Sequence, residues 1–220
     1  MYLQRKLWPQ VKTARLGDRM PKVSQSYLDA RRSQILEAAI VCFSREGFHR
    51  TTMQDIVKQS RLSPGAIYNY FKSKEEIIEA IANQRHAKEH FLVSEARKEP
   101  DVASVLKRIR DAFFGELRNP KERPRRRVGI QLWAEAQRNP RILKIVRRGV
   151  NGPHKLLRAI FSDAQRRKEI SDEVEPDAAA RFMIAAFQGF VLQMEWDNEV
   201  KVEPYIQLLE IFLKSLSPSI

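Results

Sequence analysis

"LSPGAIYNYFKSKEE", Leu62–Glu76, sets a Pro-Gly pair directly before a pattern that reads helical. Ser63 suits the N-cap of a helix and Pro64 its first position, where a fixed φ and a missing N–H cost nothing. A short helix then runs to about Phe71. Working outward, "TTMQDIVKQS" offers Thr51 or Thr52 as an N-cap, Asp55 in an acidic first turn, and Met53, Ile56 and Val57 as an inner face. Only Arg61 and Leu62 separate these two helices. A first helix from about Ser26 to Arg45 buries Ile35, Ala38, Ala39, Cys42 and Phe43 at i, i+3, i+4, i+7 and i+8, and Gly47 is placed to end it.

Three short helices with so tight a second turn read as a helix-turn-helix. On a wheel drawn from Gly65, Ile67 and Phe71 face inward, while Gly65, Tyr68, Asn69 and Lys72 lie within about 60° either side of the opposite direction. That outer face suits a duplex. Bare backbone at Gly65 permits close approach, the Asn69 amide offers both donor and acceptor to a base edge, and phenols can bond phosphates or touch thymine methyls. The helix N-terminus adds free N–H groups and positive dipole for a phosphate.

Charge agrees with this placement. The formal net charge of the 220 residues is +13 and the pI is near 10.1, a balance suited to a polyanionic partner. Residues 1–74 hold 14 Lys/Arg against 5 Asp/Glu, the remainder 26 against 22, so any polyanion should bind at the N-terminal end. The single cysteine, Cys42, falls on the apolar face of the first helix and reads as a buried thiol in a reducing cytoplasm. No apolar run approaches the roughly 18 residues of a membrane span. Residues 1–25 read as a basic arm, able to follow phosphates or a groove, or else residues 1–19 read as a segment upstream of a true start at Met20.

The remainder is helical throughout. A long helix from Lys74 to about Arg97 carries Ile77, Ile78, Ile81, Phe91 and Leu92, with its apolar stripe lapsing in the middle. Asp101–Leu117 is amphipathic through Val105, Ile109, Phe113 and Phe114. "RNPKERPRRR" reads as a polar loop in which Arg125–Arg127 are solvated. Further helices follow, with Asn151-Gly152-Pro153 expected to kink or break the chain between two of them. The last two, "EPDAAARFMIAAFQGFVLQMEW" and "VEPYIQLLEIFLKSL", are apolar on broad faces. Nothing alternates with period two, so the fold class is all-α.

Residues from about Arg32 to Ile81 closely resemble the DNA-binding domain of the TetR family of bacterial transcriptional regulators, sharing "F…GF…TT…I…S…GAIYNYFKSKEEI" in order and spacing. The resemblance implies a homodimer of about nine helices per subunit. It would have a helix-turn-helix domain at 26–73 and a larger effector-binding and dimerisation domain at 74–220. It places Thr52, Ser63, Gly65, Tyr68, Asn69, Tyr70 and Lys74 at positions that contact the operator. Tyr70 stands where many members have histidine, and Arg61 where glycine or another small residue is usual.

Beyond that domain the resemblance is architectural. The final helices sit where the family builds its dimeric four-helix interface, with Phe187, Phe190, Met194, Leu208, Leu209 and Phe212 as the interface candidates. For a lipophilic or aromatic effector the candidate lining is Phe91, Phe113, Trp133, Glu135, Phe161 and Phe187, with Phe114 and Trp196 as further aromatics. Gln131 and Gln188 are further polar handles, and Glu135 would matter most for a cation. His86 and His90 have the i, i+4 spacing of metal ligands but lack an evident third ligand, so no metal and no cofactor is expected. No nucleophile, base and orienting group assemble into a catalytic set, which argues against an enzyme. Two readings of function remain: a ligand-responsive repressor with a palindromic operator, and an architectural DNA-binding protein without an effector.

Overall fold

The computed structural model describes residues 24–217, so the basic arm, up to residue 23, lies outside the described residues. Among them are nine α-helices: α1 (Gln25–Arg50), α2 (Met53–Ser60), α3 (Pro64–Tyr70), α4 (Lys74–Ala96), α5 (Val102–Leu117), α6 (Arg123–Glu135), α7 (Pro140–Arg166), α8 (Pro176–Trp196) and α9 (Val202–Ser215). No described residue belongs to a strand. No helix among them is long and apolar enough to cross a membrane.

Local chemistry explains most of the boundaries. Ser24, Thr52, Ser63, Ser73 and Asp101 each accept a hydrogen bond from a backbone N–H in the first turn of the helix they cap. At α2 the cap is reciprocal, since Asp55 also accepts from the Thr52 backbone N–H at 2.9 Å. Gly47 interrupts α1 with φ 81° and ψ 167°, a conformation in which any Cβ is strained. The break turns Phe48 back onto Phe43, ring centroids 5.1 Å apart and edge to face. Arg61, between α2 and α3, adopts the left-handed region with φ 57°. The tight turn forms there without glycine, at a backbone cost of about 1–2 kcal/mol.

Two hydrophobic cores result. One joins α1–α3 to the first half of α4, to Val128, Leu132 and Ala136, and to Ile142 and Ile145 of α7. The other holds Val93 and Ala96 of α4, the inner faces of α5, α8 and α9, and the second half of α7. Helices α4 and α7 therefore pass through both.

Two expectations for the polar segments are corrected. The chain does not break at Asn151-Gly152-Pro153, because α7 continues through Pro153 to Arg166. Burial of Ile145 and Gly149 before the proline and of Leu157 and Phe161 after it offsets the one hydrogen bond that proline removes. "RPRRR" is not a solvated loop either. Pro120–Glu122 forms a 3-10 turn and α6 begins at Arg123, with Pro124 tolerated in its first turn. Three arginines then converge on Glu195 of α8, whose side chain is 7% exposed: Arg123 at 3.3 Å, Arg126 at 3.4 Å and Arg127 at 3.0 Å. Arg125 turns the other way and pairs with Glu37 of α1.

Glu195 is thus the common counter-ion of three guanidiniums. Replacing Glu195 with Gln should cost about 3 kcal/mol in urea unfolding, because a largely buried Arg126 is left without its partner charge.

Candidate nucleic-acid interface and interior cavity

Helix α3 presents the surface anticipated for DNA. Ile67 is fully buried and Phe71 nearly so, which fixes the rotation of the helix, and Ser63, Gly65, Tyr68 and Asn69 are exposed. A methyl group placed on Gly65 would have no heavy atom within 4 Å, so the fold itself does not require glycine there. Thr52 is exposed at the start of α2, its hydroxyl donating to Asp55 at 2.7 Å. That bond holds the Asp55 carboxyl below its ordinary range, the Thr52 hydroxyl contributing most and the Thr52 backbone N–H next.

The two other anticipated contacts are placed differently. Tyr70 is half-buried and packs against the N-terminal core. The Lys74 ammonium donates to the carbonyls of Phe48 at 2.6 Å and Thr51 at 3.1 Å, tying α4 to the α1–α2 connection. An ammonium has three donors, so one remains for a phosphate.

The C-terminal bundle holds a partly open cavity of about 110 Å³ between α4, α5, α6, α7, α8 and α9. Of the anticipated lining, Phe113, Trp133 and Phe187 meet there, with Phe114 and Gln188. Phe113 and Phe187 pack edge to face, centroids 5.2 Å apart. A second, more polar recess of about 400 Å³ adjoins it and shares Arg85, Glu89, Phe113 and Phe187. Its wall includes Lys88, Glu116, Glu122, Arg125 and Arg126. Apolar burial favours the smaller space for a lipophilic body.

Three anticipated lining residues lie elsewhere. Phe91 is 62% exposed, because it stands two residues, about 200°, round α4 from the inward-facing Glu89. Phe161 is fully enclosed by the second core. Glu135 faces α1, within 3.0 Å of the His49 ring, and Gln131 likewise donates to the Phe43 carbonyl at 2.9 Å. Trp196 is 76% exposed.

The interface candidates divide as well. Phe190 and Leu209 are buried inside the subunit, with Leu209 touching the cavity, so neither is free for a partner. Phe187 also faces the cavity, and Met194 and Phe212 are half-buried against the second core. Leu208 is exposed at 64%, beside Ile211 at 66%.

Polar groups of the cavity wall escaped the sequence reading. Arg85, His86, Glu89 and Arg110 all reach it. The first three occupy the stretch of α4 where the apolar stripe lapses: the inward face runs Ile78, Ile81, Ala82, Arg85, His86, Glu89, Val93. The available signal was a pair of glycines in helical sequence, Gly129 and Gly149. A methyl at Gly149 would overlap the His86 ring, and one at Gly129 would overlap the Arg85 guanidinium. Each glycine is a notch for an α4 side chain. His86 and His90 do not converge as ligands: the His86 ring lies on Gly149, while the His90 ring lies 3.4 Å from the Ser94 hydroxyl. Among the described residues no group of three or more His, Cys, Asp or Glu could hold a metal ion.

A helix-turn-helix carried on a bundle with an apolar cavity defines a DNA-binding, ligand-binding transcription regulator. A sequence model described as bacterial regulatory proteins of the tetR family matches residues 35–81, and another, the C-terminal part of BetI-type transcriptional repressors, matches residues 106–218. The chain belongs to the TetR family. It is 26% identical over 193 residues to the HTH-type transcriptional regulator UidR of Escherichia coli (strain K12), covering 83% of this chain and 90% of that protein. To TtgR of Pseudomonas putida it is 28% identical over 165 residues, 73% and 78% of the two chains. Among solved structures, Salmonella enterica GusR superposes with a TM-score of 0.68 at 28% identity, covering 89% of this chain and 98% of that one. A SmeT–triclosan complex superposes with a TM-score of 0.74 at 19% identity, 86% and 93% covered, a likeness of fold.

The notch at Gly149 should be measurable. Gly149→Ala should destabilise the protein by about 1–3 kcal/mol, the range for overpacking, and adding His86→Ala should recover part of the loss, a non-additivity read from a double-mutant cycle. Burial of the ring, with Glu89 opposing and Arg85 and Arg148 assisting, lowers the His86 pKa from its ordinary 6.5. Between the lowered value and 6.5 the unfolded chain holds the proton and the folded one does not. Stability should therefore fall as pH drops through 6.5 and level off below the folded value, a slope reduced in His86→Gln.

Proposed function

We propose that the protein is a cytoplasmic repressor that binds a palindromic operator as a homodimer and is released by a small lipophilic or aromatic molecule in the C-terminal cavity. In this reading residues 26–73 bind DNA and residues 74–220 bind the effector and the partner subunit. The observation that carries it is the course of α4, which follows directly on the α3 turn at Lys74 and whose Arg85, His86 and Glu89 form part of the cavity wall. A ligand that moves those side chains tilts the helix to which the DNA-binding helices are anchored. In a dimer, two α3 helices must fit successive major grooves about 34–36 Å apart. A change of that spacing lowers affinity by the coupling free energy between the sites.

The outer faces of α8 and α9 support the dimer. Phe182, Trp196, Leu208 and Ile211 are exposed large apolar residues on these two helices, and Gly189 has open space where a side chain would stand. Grouped apolar exposure of this kind marks an interaction surface. The likeness to a fold neighbour solved with triclosan is compatible with an aromatic occupant of the cavity.

Footprinting on genomic DNA tests the operator directly: a discrete palindrome is expected, and uniform weak binding would favour an architectural role. Gly65→Ala should keep or slightly raise the Tm, since alanine favours a helix by up to about 1 kcal/mol, yet weaken operator binding. Asn69→Ala should cost about 1–3 kcal/mol at that operator. Full affinity in both variants would refute the assignment of α3. Leu208→Glu with Ile211→Glu should shift the protein to monomers in analytical ultracentrifugation; persistent dimers would place the interface elsewhere.

A further inference from the structure

Arg110 is a buried charged residue, at 8% exposure, and it stands in the wall of a cavity that is otherwise mainly apolar. Its counter-ions lie outside that wall. Its Nε and one terminal nitrogen donate to Asp111 at 2.9 and 2.7 Å, and the other terminal nitrogen donates to Glu210 of α9. Both carboxylates are turned toward solvent, 55% and 42% exposed, and neither lines the cavity. A guanidinium has five N–H donors. These contacts use three, which leaves one N–H on each terminal nitrogen. The other charges of the wall, Arg85 and Glu89, face each other at 2.7 Å and offset one another.

We propose that the effector is a lipophilic carboxylic acid, with its apolar body among Phe113, Trp133 and Phe187 and its carboxylate bound by the unspent N–H groups of Arg110. This rests on the reading of the cavity as the effector site and adds the chemical class of its occupant. The guanidinium is desolvated and held in place before any ligand arrives, so a carboxylate gains a charge-assisted bond without ordering a flexible side chain. A neutral isostere keeps the apolar contacts and loses that bond. A cation would have to displace Arg85 from Glu89 while facing Arg110.

Calorimetric titration of the full chain tests this with hydrocinnamate and octanoate, their primary amides, and the corresponding amines. The acids should bind about tenfold or more tighter than the amides, the difference of a charge-assisted bond, and the amines should bind weakest. Arg110→Met should abolish the preference for acid over amide while leaving amide binding near its original level. Glu210→Gln removes the charge of the ion pair between α5 and α9 but keeps the guanidinium, so it should retain the preference, separating anion binding from a structural role. Equal binding of acid and amide, a preference that survives Arg110→Met, or no binding of either acid would overturn the proposal. Operator binding measured beside these titrations separates the two levels. Acids that bind through Arg110 without releasing the operator would sink the repressor mechanism alone, and release by the amides or amines alone would sink the carboxylate inference alone.

Discussion

The His86 ring lies directly on the backbone of Gly149, and that contact sets how closely α4 and α7 approach. Both helices run through both hydrophobic cores, so their separation determines the relation between the DNA-binding helices and the bundle. A side chain at position 149 would push the helices apart, while a small residue at position 86 would leave a void against Gly149. The same closeness brings the middle of α4 to the cavity. Its departure from an apolar stripe is the feature that gives an interior space charged and hydrogen-bonding walls.

A second set of contacts ties α6 to both ends of the molecule. From one helical turn, Arg125 pairs with Glu37 on α1, while Arg123, Arg126 and Arg127 converge on Glu195 of α8. Further along α6, Gln131 bonds the Phe43 carbonyl and Glu135 lies beside His49. The arginine run therefore serves the interior of the protein rather than a second polyanion surface. The most buried of them, Arg126, has the Glu195 carboxylate 3.4 Å away as its counter-charge, and the exposed members cost little because water solvates what Glu195 does not.

The DNA-binding motif was legible because its determinants are local. N-caps at Thr52, Ser63 and Ser73 act within one turn of their own helices, Pro64 acts at its own position, and Ile67 and Phe71 orient α3 against neighbours close in sequence. Arg61 shows the limit of such reading. Its left-handed conformation is one that sequence preference assigns to glycine, and the packing of α2 and α3 imposes it on an arginine. The cavity was half legible. Size and aromaticity point to Phe113, Trp133 and Phe187 and equally to Phe91 and Phe161, and charge points to Glu135, yet only the first three meet. Hydrophobicity and charge say that a side chain is suited to a pocket; the rotation of its helix decides whether it faces one.

The amino-acid sequence by itself determined an all-helical chain, the tight turn before α3, the outward face of Tyr68 and Asn69, and the concentration of positive charge at that end. These follow from backbone stereochemistry, capping and helical period, which act over a few residues. Tertiary structure alone decided that α7 passes unbroken through Pro153, that Gly129 and Gly149 are notches for Arg85 and His86, and that the arginines of α6 share Glu195. It also decided that Arg110 is buried at a cavity with its counter-ions outside. Each of these joins residues far apart in the chain, and their energies come from packing and desolvation, which have no value until the partner surface is in place.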